Sequence, residues 1–314
     1  MREAAQNQNR DAKMDFVHIG NYNWNLVLHM LFGIRQSVVT AKNDDVYDLQ
    51  ESDFSDKRSY VSNSISHSSG QTYEFFDFCP RMFHIIRKFF GVTSDVYLGS
   101  IGPEQLFGSI NMGNLKSLQS QCSAGKSGSL FYYTSDQLFM LKTISHNEYL
   151  HFLTIMKSYY QHLLAYPHSL VARILGLHKI KMQRDGKTQR IYFVIMANVF
   201  NTTRDIKVKY DLKGSSQGRT GLVEGKPHDP KVALKDNDWR SQKMKVKLPR
   251  QMLTLIKQQL KKDAEFFQKG NINDYSILLG IADLKPGEAE KIRKRSPVWN
   301  ELAEKGIENL IDVE

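Results

Sequence analysis

Apolar positions along the chain recur at two spacings, and each predicts a different element. Trp24, Val27, Leu28 and Leu31 fall at i, i+3, i+4 and i+7, one face of an amphipathic helix that stops near Gly33 or Ser37. Pro80 opens a second helix, with Met82, Phe83, Ile86, Phe89 and Phe90 on one side and Gly91 at its close. Tyr149, Phe152, Leu153, Met156, Tyr160 and Leu163 stripe a third, from His146 to Leu164. Glu148 lies in its first turn, where a carboxylate favours the helix dipole. A fourth begins at Pro249, carries Leu253, Ile256, Leu260, Ala264 and Phe267, and stops at Gly270. Period-two alternation marks strands instead. Val171 to Met182 and Gln189 to Met196 are joined by Arg184-Asp185-Gly186-Lys187, a hairpin signal. Ile206, Val208 and Tyr210 alternate with Lys207, Lys209 and Asp211, and the run from Ile277 to Ile281 reads as a buried strand.

The rest lacks a period. Residues 1–17 read as a disordered tail and 41–71, rich in Ser and Asp, as a flexible segment. Ser216 to Lys247 reads as a long polar loop, and Ala282 to Glu314 as charged and helix-prone.

Composition narrows the class. A chain of 314 residues with 41% hydrophobic and 11% aromatic content can bury a core. No apolar run approaches the roughly 20 residues needed to span a bilayer, and Met1 to Met14 is unlike a secretory signal. Two cysteines without CxxC spacing exclude a disulfide framework and a zinc site, which makes a reducing cytosolic compartment the default. The net charge of +10 points to an anionic partner. Nucleic acid fits poorly, because no RNP-like aromatic strand, helix-turn-helix pattern or paired zinc ligands occur.

One stretch carries candidate chemistry. Gly125-Lys126-Ser127-Gly128-Ser129-Leu130-Phe131 is a small-residue loop running into a strand, followed by a turn at Ser135-Asp136 and a return strand bearing Lys142. Lys142 shares a strand face with Leu138, Met140 and Ile144, where an ammonium is costly to desolvate unless it has a partner. A loop to cover phosphates, a lysine to hold them and a glutamate to hold the lysine are parts of phosphoryl transfer, which also needs a proton acceptor and a metal-binding carboxylate. The Gly-x-x-Gly loop and the lack of His-Arg-Asp, Asp-Phe-Gly and Ala-Pro-Glu set the chain apart from ordinary protein kinases.

Four motifs together resemble the phosphatidylinositol phosphate kinase family, with the phosphatidylinositol-4-phosphate 5-kinase type preferred. They are Asn23-Trp24-Asn25-Leu26 through Leu31-Phe32-Gly33-Ile34-Arg35; Ser127 to Phe131 with Phe139-Met140-Leu141-Lys142-Thr143; Tyr210-Asp211-Leu212-Lys213-Gly214-Ser215; and Asp274-Tyr275-Ser276 with Leu278-Leu279-Gly280. The resemblance implies an α+β, two-lobed kinase-like fold with an antiparallel sheet plus helices in each lobe. An N-terminal helix would occupy 18–40, the N-lobe 72–200 and the C-lobe 201–314. It further implies phosphorylation of a monophosphorylated phosphatidylinositol with ATP and Mg2+, at the cytosolic face of an anionic membrane, by a peripheral protein that forms a homodimer through its N-terminal part.

Roles carry over residue by residue. Gly125, Ser127, Gly128 and Phe131 would cover the ATP phosphates, Lys142 would contact them, and Glu148 would pair with Lys142. Asn198, after Ala197, would lie at the hinge beside the adenine. Asp274 would orient the inositol hydroxyl and accept its proton, Lys213 would neutralise the transferring or lipid phosphate, and Asp211 and Arg219 would support that region. Asn273 stands where the family has methionine, and Ile277 where it has leucine. The family's metal-binding aspartate ends an Ile-Ile-Asp strand ahead of an activation loop. Here the last residues are Leu310-Ile311-Asp312-Val313-Glu314, so Asp312 is the candidate metal ligand and the C-lobe is expected to be incomplete. The rival reading is a catalytically impaired kinase-like module that binds anionic membranes or a protein partner.

Overall fold

The computed structural model describes residues 15–16, 24–41, 49–63, 72–103, 118–122, 130–184, 187–202, 204–223, 225, 227–229, 232–246 and 248–283. They fall into two compact units: one made of residues up to Pro167 with Val171–Asn198, the other of His168–Leu170 with the residues from Val199 onward.

The first unit is built on an eight-stranded antiparallel sheet. Its strands are β1 (Asp15–Phe16), β2 (Lys57–Asn63), β3 (Thr72–Phe78), β4 (Leu118–Cys122), β5 (Leu130–Thr134), β6 (Phe139–Ile144), β7 (Ile174–Arg184) and β8 (Lys187–Ala197). In space they run β1-β4-β5-β6-β8-β7-β3-β2. The helices α1 (Trp24–Ala41), α2 (Pro80–Phe89), α3 (Ser94–Ile101) and α4 (His146–Ala165) belong to the same unit. The long β7–β8 hairpin pairs from Ile174↔Met196 to Arg184↔Lys187, as the Asp-Gly signal predicts, although Asp185 and Gly186 lie outside the described residues.

The docking of α1 on β3 shows how sequence spacing becomes packing. His29, Gly33 and Ser37 are four apart on the helix, and Tyr73, Phe75 and Asp77 are two apart on the strand. Four helical residues rise about 6 Å and two strand residues about 6.6 Å, so the two rows stay in step. The His29 ring stacks on Tyr73 at 3.8 Å, and the Ser37 hydroxyl donates to the Asp77 carboxylate. A Cβ on Gly33 would sit 2.1 Å from the Phe75 ring, so only glycine lets the backbone come this close. Gly33 is therefore a contact point, and the helix continues through it to Ala41 past the expected stop. Phe75 is 3% exposed, and burying such a ring contributes about 1.5–3 kcal/mol. His178 on β7 lies 3.1 Å from Asp77 and completes a buried polar group under the helix.

The segment 41–71, expected to be flexible, departs from that reading: it holds a 3-10 turn at Glu51–Phe54 and all of β2. The reason is positional. Among the described residues β2 is an edge strand paired with β3 alone, and its Lys57, Ser59 and Val61 point to solvent, so it lacks an apolar period.

The second unit contains β9 (Ile206–Leu212) and β10 (Ile277–Ala282), paired antiparallel, with α5 (Asp236–Ser241) and α6 (Arg250–Lys269). Leu234 adds a parallel bridge to Tyr210, whose buried ring meets Trp239 edge-on at 4.9 Å and whose hydroxyl donates to Gln242 at 2.7 Å. Gly270 caps α6 as predicted. Asp263 of α6, 3% exposed, accepts from the Ser169 hydroxyl and the Leu170 N–H, both at 2.8 Å. Two expectations fail here. Residues 216–247 are not loop throughout, because α5 lies inside them. β10 is not buried either: Ile277 is 47% and Leu278 46% exposed, because within the described residues β10 has a single strand neighbour.

Candidate active site

In the first unit the lysine strand is held by a turn built for it. Asp136 accepts from the Thr134 hydroxyl at 2.6 Å, the Ser100 hydroxyl at 2.8 Å and the Leu138 N–H at 3.1 Å, so one carboxylate fixes the reversal between β5 and β6. Beyond it Phe131 and Lys142 are cross-strand partners, and the half-buried ammonium lies 5.7 Å from the Phe131 ring centre. Among the described residues no carboxylate pairs with Lys142. Glu148 is engaged elsewhere: its carboxylate accepts from the Ser145 N–H at 2.7 Å while the Ser145 hydroxyl accepts from the Glu148 N–H at 3.2 Å. That capping box opens α4, so the dipole role of Glu148 is seen and the expected Lys142–Glu148 ion pair is not formed here. Asn198 ends the first unit; its backbone N–H donates to Leu138 at 2.9 Å and its side-chain amide to Gln137 at 2.7 Å. Gly125, Ser127 and Gly128 lie outside the described residues, as does Asp312.

In the second unit the remaining candidates cluster. Lys213 follows directly on β9, and Asp274 sits three residues ahead of the paired β10. Because Ile277 faces Leu212 in register, the two loops emerge side by side, and the Lys213 ammonium reaches Oδ1 of Asp274 at 2.6 Å. Asp274 adopts φ +60°, a left-handed conformation that Asp and Asn tolerate better than most residues. The hydrogen bond and charge of Lys213 hold the Asp274 carboxyl below its ordinary value. Arg219 contacts Asp211 through its carboxylate at 3.3 Å and through its backbone carbonyl.

Sequence reasoning missed the anchor of this cluster, Asp236. It is 6% exposed and accepts from the Arg219 guanidinium at 2.8 Å, the Gly214 N–H at 2.8 Å and the Lys213 N–H at 3.1 Å. Burial opposes its ionisation, but Arg219 and the two N–H donors outweigh that and bring its carboxyl down to about 2. Its neighbour Asp238 does the same for the loop's far side, accepting from Gly221 at 2.7 Å and Lys235 at 2.8 Å. Gly221 must be glycine, since a Cβ there would meet the Ala233 carbonyl at 2.7 Å. The signal available was Asp-x-Asp-Trp inside a polar stretch, acids in the first turn of a short helix beside an aromatic. Leu212, Lys213, Gly214, Trp239, Arg240 and Tyr275 help to line a cleft of about 430 Å³ beside this cluster.

Residues 112–306 match the family model described as phosphatidylinositol-4-phosphate 5-kinase. The chain belongs to the phosphatidylinositol-4-phosphate 5-kinase family. Among curated relatives, phosphatidylinositol 4-phosphate 5-kinase of Plasmodium falciparum is 33% identical over 94% of this chain and 17% of its own length. A protein of the same name from Schizosaccharomyces pombe is 32% identical over 87% of this chain and 36% of its own. Phosphatidylinositol 4-phosphate 5-kinase 6 of Arabidopsis thaliana is 32% identical over 90% of this chain and 39% of its own. The chain thus spans well under half the length of these relatives. Within the family match fall Lys142, Asp211, Lys213, Asp274 and the anchor Asp236. The α+β architecture, with an antiparallel sheet and helices, agrees with a lipid-kinase fold. Among the described residues no helix is long and apolar enough to cross a membrane.

Proposed function

We propose that this chain transfers the γ-phosphoryl group of ATP to a hydroxyl of a monophosphorylated phosphatidylinositol, as a phosphatidylinositol-4-phosphate 5-kinase. The observation that carries the reading is the 2.6 Å contact between Lys213 and Asp274 in a chain of this family. Phosphoryl transfer is mostly positioning and charge stabilisation, and this pair offers both. The inositol oxygen bonds to the γ-phosphorus, the bond from that phosphorus to the β–γ bridging oxygen breaks, ADP departs, and the hydroxyl proton passes to Asp274. A carboxyl held low by Lys213 stays ionised near neutrality and takes the proton only as the attacking oxygen acidifies. Lys213 then offsets the charge left on the phosphoryl oxygens. In the first unit Lys142 holds the ATP phosphates, Gly125, Ser127, Gly128 and Phe131 cover them, and Asn198 borders the adenine.

Asp312 would hold a magnesium ion, whose charge would offset that of the ATP phosphates. Among the described residues no cluster of acidic, histidine or cysteine side chains is arranged to hold a metal ion, and Asp312 remains the proposed ligand. The protein would work as a peripheral one at the cytosolic membrane face, as a homodimer, with half-exposed lysines such as Lys207 and Lys209 facing the anionic leaflet.

The test is transfer of labelled phosphate from ATP to vesicles containing phosphatidylinositol 4-phosphate. Transfer that disappears in Lys142→Met and in Asp274→Asn supports the assignment; transfer that survives both overturns it. Vesicle binding with no transfer and no ATP-induced thermal shift favours the impaired, membrane-binding module.

A further inference from the structure

The cleft beside Lys213 carries a second cation, one that lies outside the four motifs of the resemblance. Arg240, in the last turn of α5, lines the cleft together with Lys213, Trp239, Tyr275 and Ser276. Arg240 is exposed, and among the described residues it has no acidic partner. The acid that shares the cleft, Asp236, is already spent on Arg219 and on two backbone N–H groups. Lys213 is itself paired with Asp274 at 2.6 Å, which leaves Arg240 as the cation of this cleft without a carboxylate partner among the described residues. Its remaining walls include Leu212, Trp239, Tyr275 and Ile277, an apolar lining with few polar groups, as small-ligand sites have. Trp239 is fixed there by its edge-on contact with Tyr210, and Tyr275 by its ring contact with Phe267 at 4.5 Å.

We propose that Arg240 forms a phosphate subsite in this cleft and holds the standing phosphate of a monophosphorylated inositol head group, while Lys213 and Asp274 attend the hydroxyl that reacts. This deepens the lipid-kinase reading and rests on it for the identity of the ligand. The chemistry suits the residue: a guanidinium fork binds a phosphate through two parallel N–H donors, which a lysine at the same place cannot do. The aromatic walls accept the C–H face of the cyclitol ring. Arg240 is a specificity residue in this scheme, since it touches the group that is kept, and Lys213 remains with the group that is transferred.

The experiment separates binding from catalysis. Soluble inositol 1,4-bisphosphate and inositol 1-phosphate are titrated calorimetrically into the full-length protein and its Arg240→Gln and Arg240→Lys variants, and KM and kcat are measured on phosphatidylinositol 4-phosphate vesicles. A charge-assisted pair is expected to give a loss of about tenfold or more in bisphosphate affinity in Arg240→Gln. Inositol 1-phosphate binding and the KM for ATP are expected to stay put, kcat at saturating lipid to hold, and Arg240→Lys to recover part of the affinity. Equal bisphosphate affinity in wild type and Arg240→Gln overturns the subsite. A raised KM for ATP with lipid KM unchanged also overturns it, because the phosphate met by Arg240 is then the nucleotide's. If the wild type binds the bisphosphate through Arg240 yet transfers no phosphate, the kinase reading fails and the subsite stands.

Discussion

The ammonium of Lys213 lies 2.6 Å from the Asp274 carboxylate, a pair 61 positions apart in sequence that the register of β9 and β10 brings to one edge. Lys213 is three-quarters buried while Asp274 is 82% exposed, so the lysine is the fixed member and the aspartate the one open to a substrate. The pairing lowers the Asp274 pKa through the Lys213 hydrogen bond and charge. A group held low stays ionised as pH falls past its ordinary value, so the acid limb of the kcat/KM profile should lie below the usual carboxylate range. In Lys213→Met that limb should move up in pH, in addition to a fall in kcat; a limb that stays where it was would separate Asp274 from the titration.

Asp274→Asn keeps both the side-chain shape and the tolerance for φ +60°. Transfer should fall about 10²–10⁴-fold, the range of a lost general base, with the thermal midpoint little changed. Radiolabel transfer and differential scanning on the same preparation check both halves.

Glu148 offers a division of labour that two substitutions can resolve. Glu148→Gln keeps an acceptor for the Ser145 N–H, whereas Ser145→Ala removes the N-cap and should cost about 1 kcal/mol of stability. If Glu148 turns to Lys142 when ATP binds, Glu148→Gln will lose activity at unchanged stability. Urea unfolding alongside ATP titration distinguishes the cases.

Asp236→Ala leaves Arg219, nearly buried, without its closest anion and strips the Lys213 and Gly214 N–H groups of their acceptor. Breaking such a pair costs about 3 kcal/mol or more, and here the loss should appear as proteolytic cutting within 213–235 before the rest of the unit opens. The pH dependence has a definite sign. Asp236 titrates at about 2 in the fold, so its contribution is complete above the ordinary carboxylate value and fades as pH falls toward 2.

Gly33→Ala places a methyl into the Phe75 ring, which cannot yield because it is enclosed between α1 and the sheet. The expected loss is about 1–3 kcal/mol, read as a lower midpoint in thermal unfolding, with the ATP affinity of the native protein unchanged.

Elements with a strong period were legible in the sequence. The β7–β8 hairpin, α2, α4 and α6 follow from apolar spacing and from Pro80, Asp185-Gly186 and Gly270. β2 was not legible, because an edge strand facing water needs no apolar side, and α1 ran past Gly33 because a close approach and a helix stop look alike in one dimension. The site was partly legible. Lys213 and Asp274 were found by motif, but Asp236 was not, since what makes it an anchor is burial against Arg219 and two backbone amides. Glu148 was read for two roles, and only packing could tell which of them its oxygens fill in this state.

The two bonds from Asn198 land on Gln137 and Leu138, 61 residues back along the chain in the case of its side-chain amide. The turn that launches β6 is therefore clamped to the point where the chain leaves the first unit, and neither can shift without the other. An adenine seated at residues 196–198 would stiffen the Lys142 strand before any phosphate touched the lysine. Adenosine alone, with no phosphates, should then slow amide exchange in Phe139–Ile144.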